Sequence, residues 1–193
     1  IGVARFERAL ERFDGEVTVR LHPFQLDPEA PIPGVPARHR YAAKFGGEAD
    51  AILARVTAAA LEDGLHFDFD RALTANTFDA HRAIAFARSS GKDRMFEHRL
   101  FAAYFSEGLD VSDRSVLAQL GGEVGLEIDA LAAYLAGDDG VDELRRELED
   151  AFERGISAVP TFVFEEEFAV PGAVDTATFL RMLEQMRSFE GAR

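Results

Sequence analysis

Val3, Phe6, Ala9, Leu10 and Phe13 recur at helical steps, so residues 1–13 read as a helix with one apolar stripe. Asp14-Gly15 ends that pattern, glycine being suited to a left-handed cap. Val17, Val19 and Leu21 then alternate with Glu16, Thr18 and Arg20, the period of a strand that runs to about Phe24. Residues 25–36 hold Pro28, Pro31, Pro33, Gly34 and Pro36 and read as a loop. From Arg38 to Arg154 the period is helical almost throughout, with helices expected over 38–45, 48–63, 76–90, 92–107, 112–121, 127–136 and 140–154. Asn76 and Ser112 stand at cap positions, each ahead of an acid in the first turn, Asp79 and Asp113. After Pro160 strands return over Thr161–Phe164 and Phe168–Val170, divided by the acidic turn Glu165-Glu166-Glu167. Asp175 caps a last helix whose inner face carries Phe179, Leu180, Leu183 and Met186.

Two β regions that bracket a long helical block predict an insertion into an α/β scaffold. The scaffold is expected to be discontinuous, from residues 1–36 and 155–193, with the helical insertion over 37–154. The visible strands are few for such a sheet, and a further strand ahead of residue 1 is expected to complete it. With 193 residues and 47% hydrophobic composition, the chain can bury one sizeable core. A formal net charge of −14 repels phosphate backbones and anionic lipid, so neither nucleic acid nor membrane is an expected partner. No apolar run is long enough for a bilayer.

The absence of cysteine excludes disulfides, Cys-ligated metal and a thiol nucleophile within these residues. No H-E-x-x-H, phosphate-binding glycine loop or G-x-S-x-G occurs, and His22, His39, His66 and His98 share no ligand spacing. Asp68 and Asp70, like Asp138-Asp139-Gly140, read as solvated acids rather than a calcium loop. No metal and no cofactor is expected. What remains is Gly155–Phe164, a small-residue loop ending in Val159-Pro160 that runs straight into a β-branched and aromatic strand.

These residues resemble the DsbA-like thioredoxin superfamily, in particular its cytoplasmic FrnE-type branch. Ile1-Gly2 and Phe6-Glu7-Arg8-Ala9-Leu10 resemble the helix that follows the family's C-P-W-C-Y-I-G segment. His22-Pro23-Phe24-Gln25-Leu26-Asp27-Pro28 resembles R-P-F-x-L-x-P, and Asn76–Arg82 resembles N-T-x-x-A-H-R. Leu100–Phe105 with Gly108 resembles L-F-x-A-Y-F-x-x-G, and Gly155–Phe162 resembles G-I-x-G-V-P-T-F with Ala158 in place of glycine. Pro171-Gly172-Ala173 stands where the family has S-G-A.

The resemblance implies a thioredoxin-like sheet with a large all-helical insertion, and thiol–disulfide oxidoreductase activity in a cytoplasmic protein. It places the redox cysteines just before Ile1, so no catalytic residue is expected in this chain and the chain as given is expected to be inactive in thiol exchange. It implies a cis Val159–Pro160 bond, against about 5–6% of X–Pro bonds in general, leaving the Val159 backbone free to pair with an extended substrate or glutathione. Asn76 and His81 would face the cleft and orient a thiolate or a bound cysteinyl group. Their plainer roles are a helix cap and a partly buried, satisfied histidine. Tyr104, with Phe101 and Phe105, would line the cleft between insertion and scaffold. The expected partner is a thiol- or disulfide-bearing polypeptide or a small thiol, with homodimerisation as a way to cover an exposed sheet edge. Two other readings share the scaffold: a glutathione-dependent isomerase or transferase of the 2-hydroxychromene-2-carboxylate isomerase or kappa-class type, and a cysteine-free peptide-binding module.

Overall fold

A computed structural model of the chain describes residues 1–190. Helix α1 spans Gly2–Leu10 and packs along the last helix, α9 (Thr176–Glu190). Both lie against a hairpin of β3 (Thr161–Phe164) and β4 (Phe168–Pro171), paired antiparallel with Phe162 opposite Val170 and Phe164 opposite Phe168. The period of two puts Phe162 and Phe164 on one face. There they meet Phe6 and Phe179, with centroids 5.0 Å apart for Phe6–Phe162 and 4.6 Å for Phe162–Phe179. Ala9 and Leu183 complete this small aromatic core. Asp175 accepts from the Thr178 N–H at 2.8 Å and so caps α9 as the sequence predicts.

The helical block begins with a two-residue bridge, β1 (Val35–Pro36), antiparallel to β2 (Leu73–Thr74). Between them run α2 (Ala37–Phe45), a single 3₁₀ turn (Gly46–Glu48) and α3 (Ala49–Glu62). Then follow α4 (Phe78–Arg88), α5 (Asp93–Ala102) with a π turn over Ala103–Glu107, α6 (Arg114–Glu123), α7 (Ile128–Ala136) and α8 (Val141–Glu153). Alanines of α4 let α5, α6 and α7 approach closely. The resulting core includes Ala83, Ala87, Phe96, Leu117, Leu131 and Leu135, each fully buried. The architecture is an α/β scaffold of helices and a hairpin carrying a large helical insertion.

Three expectations change. Residues 17–24 form no strand among the described residues. A strand needs a ladder partner, and here side chains of α4 take its carbonyls instead: Arg88 donates to Leu21 O at 2.8 Å, and His81 Nε2 lies 3.1 Å from Phe24 O. The α6 cap is Asp113, whose carboxylate accepts from the N–H groups of Ser115 and Val116. Ser112 is turned back onto Asp110, to which its N–H and Oγ both donate. The proline-rich loop is not wholly irregular, since its end supplies β1. No helix is long and apolar enough to cross a membrane among the described residues.

Candidate substrate-binding site

The Val159–Pro160 peptide bond is cis, as is Ile32–Pro33. Pro160 packs under the start of α1: a Cβ placed on Gly2 would lie 2.5 Å from Pro160 Cγ, so only glycine lets the helix begin there. Pro160 O accepts from the Gly172 N–H at 2.7 Å, tying the loop to the β4 turn. Val159 itself is 49% exposed, and no hydrogen bond reaches its backbone among the described residues. The N-terminal end of α1, where helix dipoles favour negative charge, therefore sits directly on this loop.

Arg5, one turn inside α1, and Arg8, in its last turn, anchor the scaffold to the helical block. Arg5 Nε and Arg8 donate to the two oxygens of Asp63 at 2.7 Å each, and Arg5 also donates to Ala173 O at 2.8 Å. Burial alone would raise the Asp63 carboxyl. The hydrogen bonds from Arg8 and Arg5 outweigh it and hold the group below the ordinary carboxylate range.

Asn76 and His81 are brought together by the loop that follows residue 23. Asn76 Oδ1 accepts from the Phe78 N–H at 2.9 Å, a turn just ahead of α4 whose cap position is Thr77 rather than the expected Asn76, and from Gln25 Nε2 at 3.2 Å. Its Nδ2 donates to Pro28 O at 2.8 Å, and its backbone N–H donates to Pro31 O at 3.0 Å. Asn76 lies on a cavity of about 420 Å³ with Gln25, Phe78, Arg114 and Arg145 in its lining. Burial pushes the His81 imidazolium below its ordinary value, partly opposed by the bond to Phe24 O. The ring is thus neutral at pH 7 and, since a carbonyl only accepts, protonated on Nε2.

Tyr104 stands in the π turn, a local widening that recurs at functional sites. Its ring packs against the helical core, and burial, first among the causes, raises its hydroxyl above the ordinary range. Thr74 Oγ1, toward which that hydroxyl turns, is the buried side-chain oxygen without a hydrogen bond among the described residues. Phe105 stacks on Phe67 at 4.4 Å and belongs to the cluster of Ala37, Leu53 and Phe69, while Phe101 is 39% exposed. Val159 and Pro160 line neither the Asn76 cavity nor the one that holds His81. The predicted residues therefore occupy separate places: the α1–Pro160 junction, the Asn76–His81 loop anchor, and the Tyr104 turn.

Gly2, Arg5 and Asp63 were not singled out by the sequence pattern. Gly2, the sole glycine at the head of an amphipathic helix, was the available signal. Arg82 was also missed. It is 1% exposed, pairs with Asp79 at 2.8 Å and donates to the carbonyls of Tyr134, Leu135, Gly137 and Asp139. Its burial and saturation make it structural. No group of three or more potential metal-ligating side chains occurs among the described residues.

A thioredoxin-like scaffold whose cis-proline loop meets the head of α1, bearing a helical insertion, defines the DsbA-like class. The chain belongs to the DSBA-like thioredoxin domain family, whose model matches residues 1–184, a family of disulfide oxidoreductases. It is 31% identical to a probable DsbA oxidoreductase from Streptomyces coelicolor, with a TM-score of 0.87 over 95% of this chain and 82% of that one. It is 28% identical over 181 residues to the uncharacterized protein YwbO of Bacillus subtilis (strain 168), covering 93% of this chain and 86% of YwbO. The cytosolic disulfide reductase DsbM of Pseudomonas aeruginosa shares the fold at 24% identity, with a TM-score of 0.57 over 99% of this chain and 90% of DsbM. A DsbM structure with GSH aligns at 23% identity with a TM-score of 0.56, over 99% of this chain and 91% of that one.

Proposed function

We propose that this chain is the substrate-binding scaffold of a FrnE-type thiol–disulfide oxidoreductase acting in the cytoplasm. A cysteine pair presented at the head of α1 performs the exchange, and the Val159–Pro160 loop seats the sulfur-bearing segment of the substrate. The observation that carries this reading is the packing of Gly2 on Pro160. A thiol at the head of α1 lies at the loop and at the positive end of the helix dipole, which stabilises the thiolate. That thiolate attacks one sulfur of a substrate disulfide, a mixed disulfide forms, and the other substrate sulfur leaves as thiolate. The second cysteine then attacks the mixed disulfide and releases the substrate as dithiol, so the enzyme ends oxidised and the substrate reduced. The exposed, unpaired Val159 backbone is suited to an extended peptide. Asn76 and His81 hold the loop that borders the helical block.

The 193 residues contain no thiol, and on this reading they do not catalyse exchange by themselves. The test is the intact mass of the protein from its own cell, with thiols titrated under denaturing conditions. The expected result is a mass above that of these residues, a pair of titratable thiols and reduction of a disulfide substrate. A mass equal to these residues with no thiol would leave the cysteine-free peptide-binding module, which the open Val159 edge also supports. Glutathione is the proposed small-thiol alternative to a polypeptide, and calorimetry with the thiol-bearing protein decides between them. Glutathione binding without dithiol exchange would favour the isomerase or transferase reading.

A further inference from the structure

A second cavity, of about 360 Å³, lies between the Leu21–Pro23 segment and helices α4, α5, α7 and α8. We propose that it binds a small organic ammonium ion, with Glu97 as the counter-charge and the ligand's apolar body against Leu21, Ile84 and Leu144. Of its lining, the oxidoreductase reading uses only His81, as an anchor of the loop after residue 23.

One acidic group of the lining lacks a partner among the described residues. Glu97, Glu143 and Glu147 all line the cavity. Glu143 is paired with Arg146 at 2.9 Å, and Glu147 faces Arg88 at 3.6 Å. Arg88 also donates to Leu21 O at 2.8 Å and lies 4.0 Å from Asp93, so its charge is shared between Glu147 and Asp93. Glu97 has neither hydrogen bond nor ion pair among the described residues. Burial raises its carboxyl to about 7, and Glu7 and Asp93 push the same way against His98 and Arg94. His81, also in the lining, is kept neutral by burial and supplies no positive charge at neutral pH.

The missing partner is therefore a cation. A metal ion does not fit, because no group of three or more ligating side chains converges among the described residues. An anion does not fit either, since Glu97, Glu143 and Glu147 line the cavity against a single arginine. The apolar part of the lining asks for a ligand that brings hydrocarbon of its own, and the volume lies within the usual range for small-molecule sites. An ammonium on a short apolar stem meets each condition, and the net charge of −14 concentrates such cations at the surface.

The test is a titration of the protein with n-hexylammonium, n-hexanol and hexanoate, followed by amide chemical shifts. The expected result is saturable binding of n-hexylammonium, with shifts at Ile84, Ala85 and Leu144 and weaker or no binding of the other two. Glu97→Gln should weaken n-hexylammonium about tenfold or more while leaving n-hexanol unchanged. A cavity-filling Ala85→Phe variant, checked for folding by its spectrum, should abolish binding of all three. Equal binding of all three probes, no binding of n-hexylammonium, or an unchanged affinity in Glu97→Gln would each overturn the proposal.

Discussion

The helical block and the scaffold are built on opposite economies of backbone. In the block, helices satisfy their own amides, one contiguous core joins α4 to α7, and even the buried cation Arg82 meets a carboxylate and four carbonyls. Among the described residues the scaffold has a core of four buried residues, a hairpin paired along one edge of β3 only, and a segment, 17–24, that borrows side chains for its carbonyls. Open main-chain groups are what a protein uses to bind extended chains. The contrast teaches that the insertion is the closed, self-satisfied part, and that the proposed function places recognition on the open groups of the scaffold.

The largest expected effect tests whether the two regions are separable. Phe96→Ala, at a position with no exposure, should cost about 3–5 kcal/mol in denaturant unfolding. It should remove amide exchange protection across α4–α7. Phe179→Ala should cost a similar amount yet leave that protection in place. Simultaneous loss of all protection in both variants would show one cooperative unit and end the comparison. Next comes Arg82→Met, which strands buried carbonyls and should cost about 3 kcal/mol, read as a lowered unfolding midpoint.

Asp63→Asn sharpens the boundary itself, and should cost about 1–3 kcal/mol by leaving Arg5 and Arg8 without their anion. Because the folded Asp63 carboxyl is held low, its contribution is complete above the unfolded carboxylate range and disappears as acid protonates it. Acid unfolding curves of the wild type and variant should therefore converge at low pH. The smallest effect belongs to Glu97. Its folded carboxyl titrates near 7, so stability falls as pH rises from the ordinary carboxylate range to about 7 and stays lower above it. Glu7 of α1, Asp93, Arg94 and His98 of α5, His81 and Arg88 of α4, His22, Tyr134 of α7, and Glu143 and Glu147 of α8 face this group. Glu97→Gln should remove its share of the slope, a gain on the order of 1 kcal/mol at pH about 8.

Helix periodicity was legible because it depends on which residues a helix buries, not on what covers them. α2 through α8 start and end close to where Gly, Asp and the apolar stripes place them. The hairpin was legible for the same local reason: Thr161–Phe164 is a β-branched and aromatic run, and the acidic turn breaks it. Residues 17–21 alternate, but alternation says only that one face is apolar, and a strand also needs a neighbour. β1 and β2 join residues far apart in sequence, which no window reads. The α6 cap slipped from Ser112 to Asp113 because both side chains suit a cap and only the turn at Asp110 decides between them. Of the site, the Val159–Pro160 loop was visible as a motif. Its meeting with Gly2 was not, because a tight backbone approach leaves only a glycine as its trace. Glu97 gave no signal at all, since an acid on a helix ordinarily faces water.

Arg82 has a mechanical consequence. Lifting the α7–α8 turn from α4 would break its carboxylate contact and its carbonyl bonds in one event and leave a guanidinium in an apolar gap. Such a joint has no intermediate position, so α4, α7 and α8 travel as one body. That body meets the rest of the chain through the loop pinned by Asn76, while α3 is held to α1 by the separate Asp63 clasp.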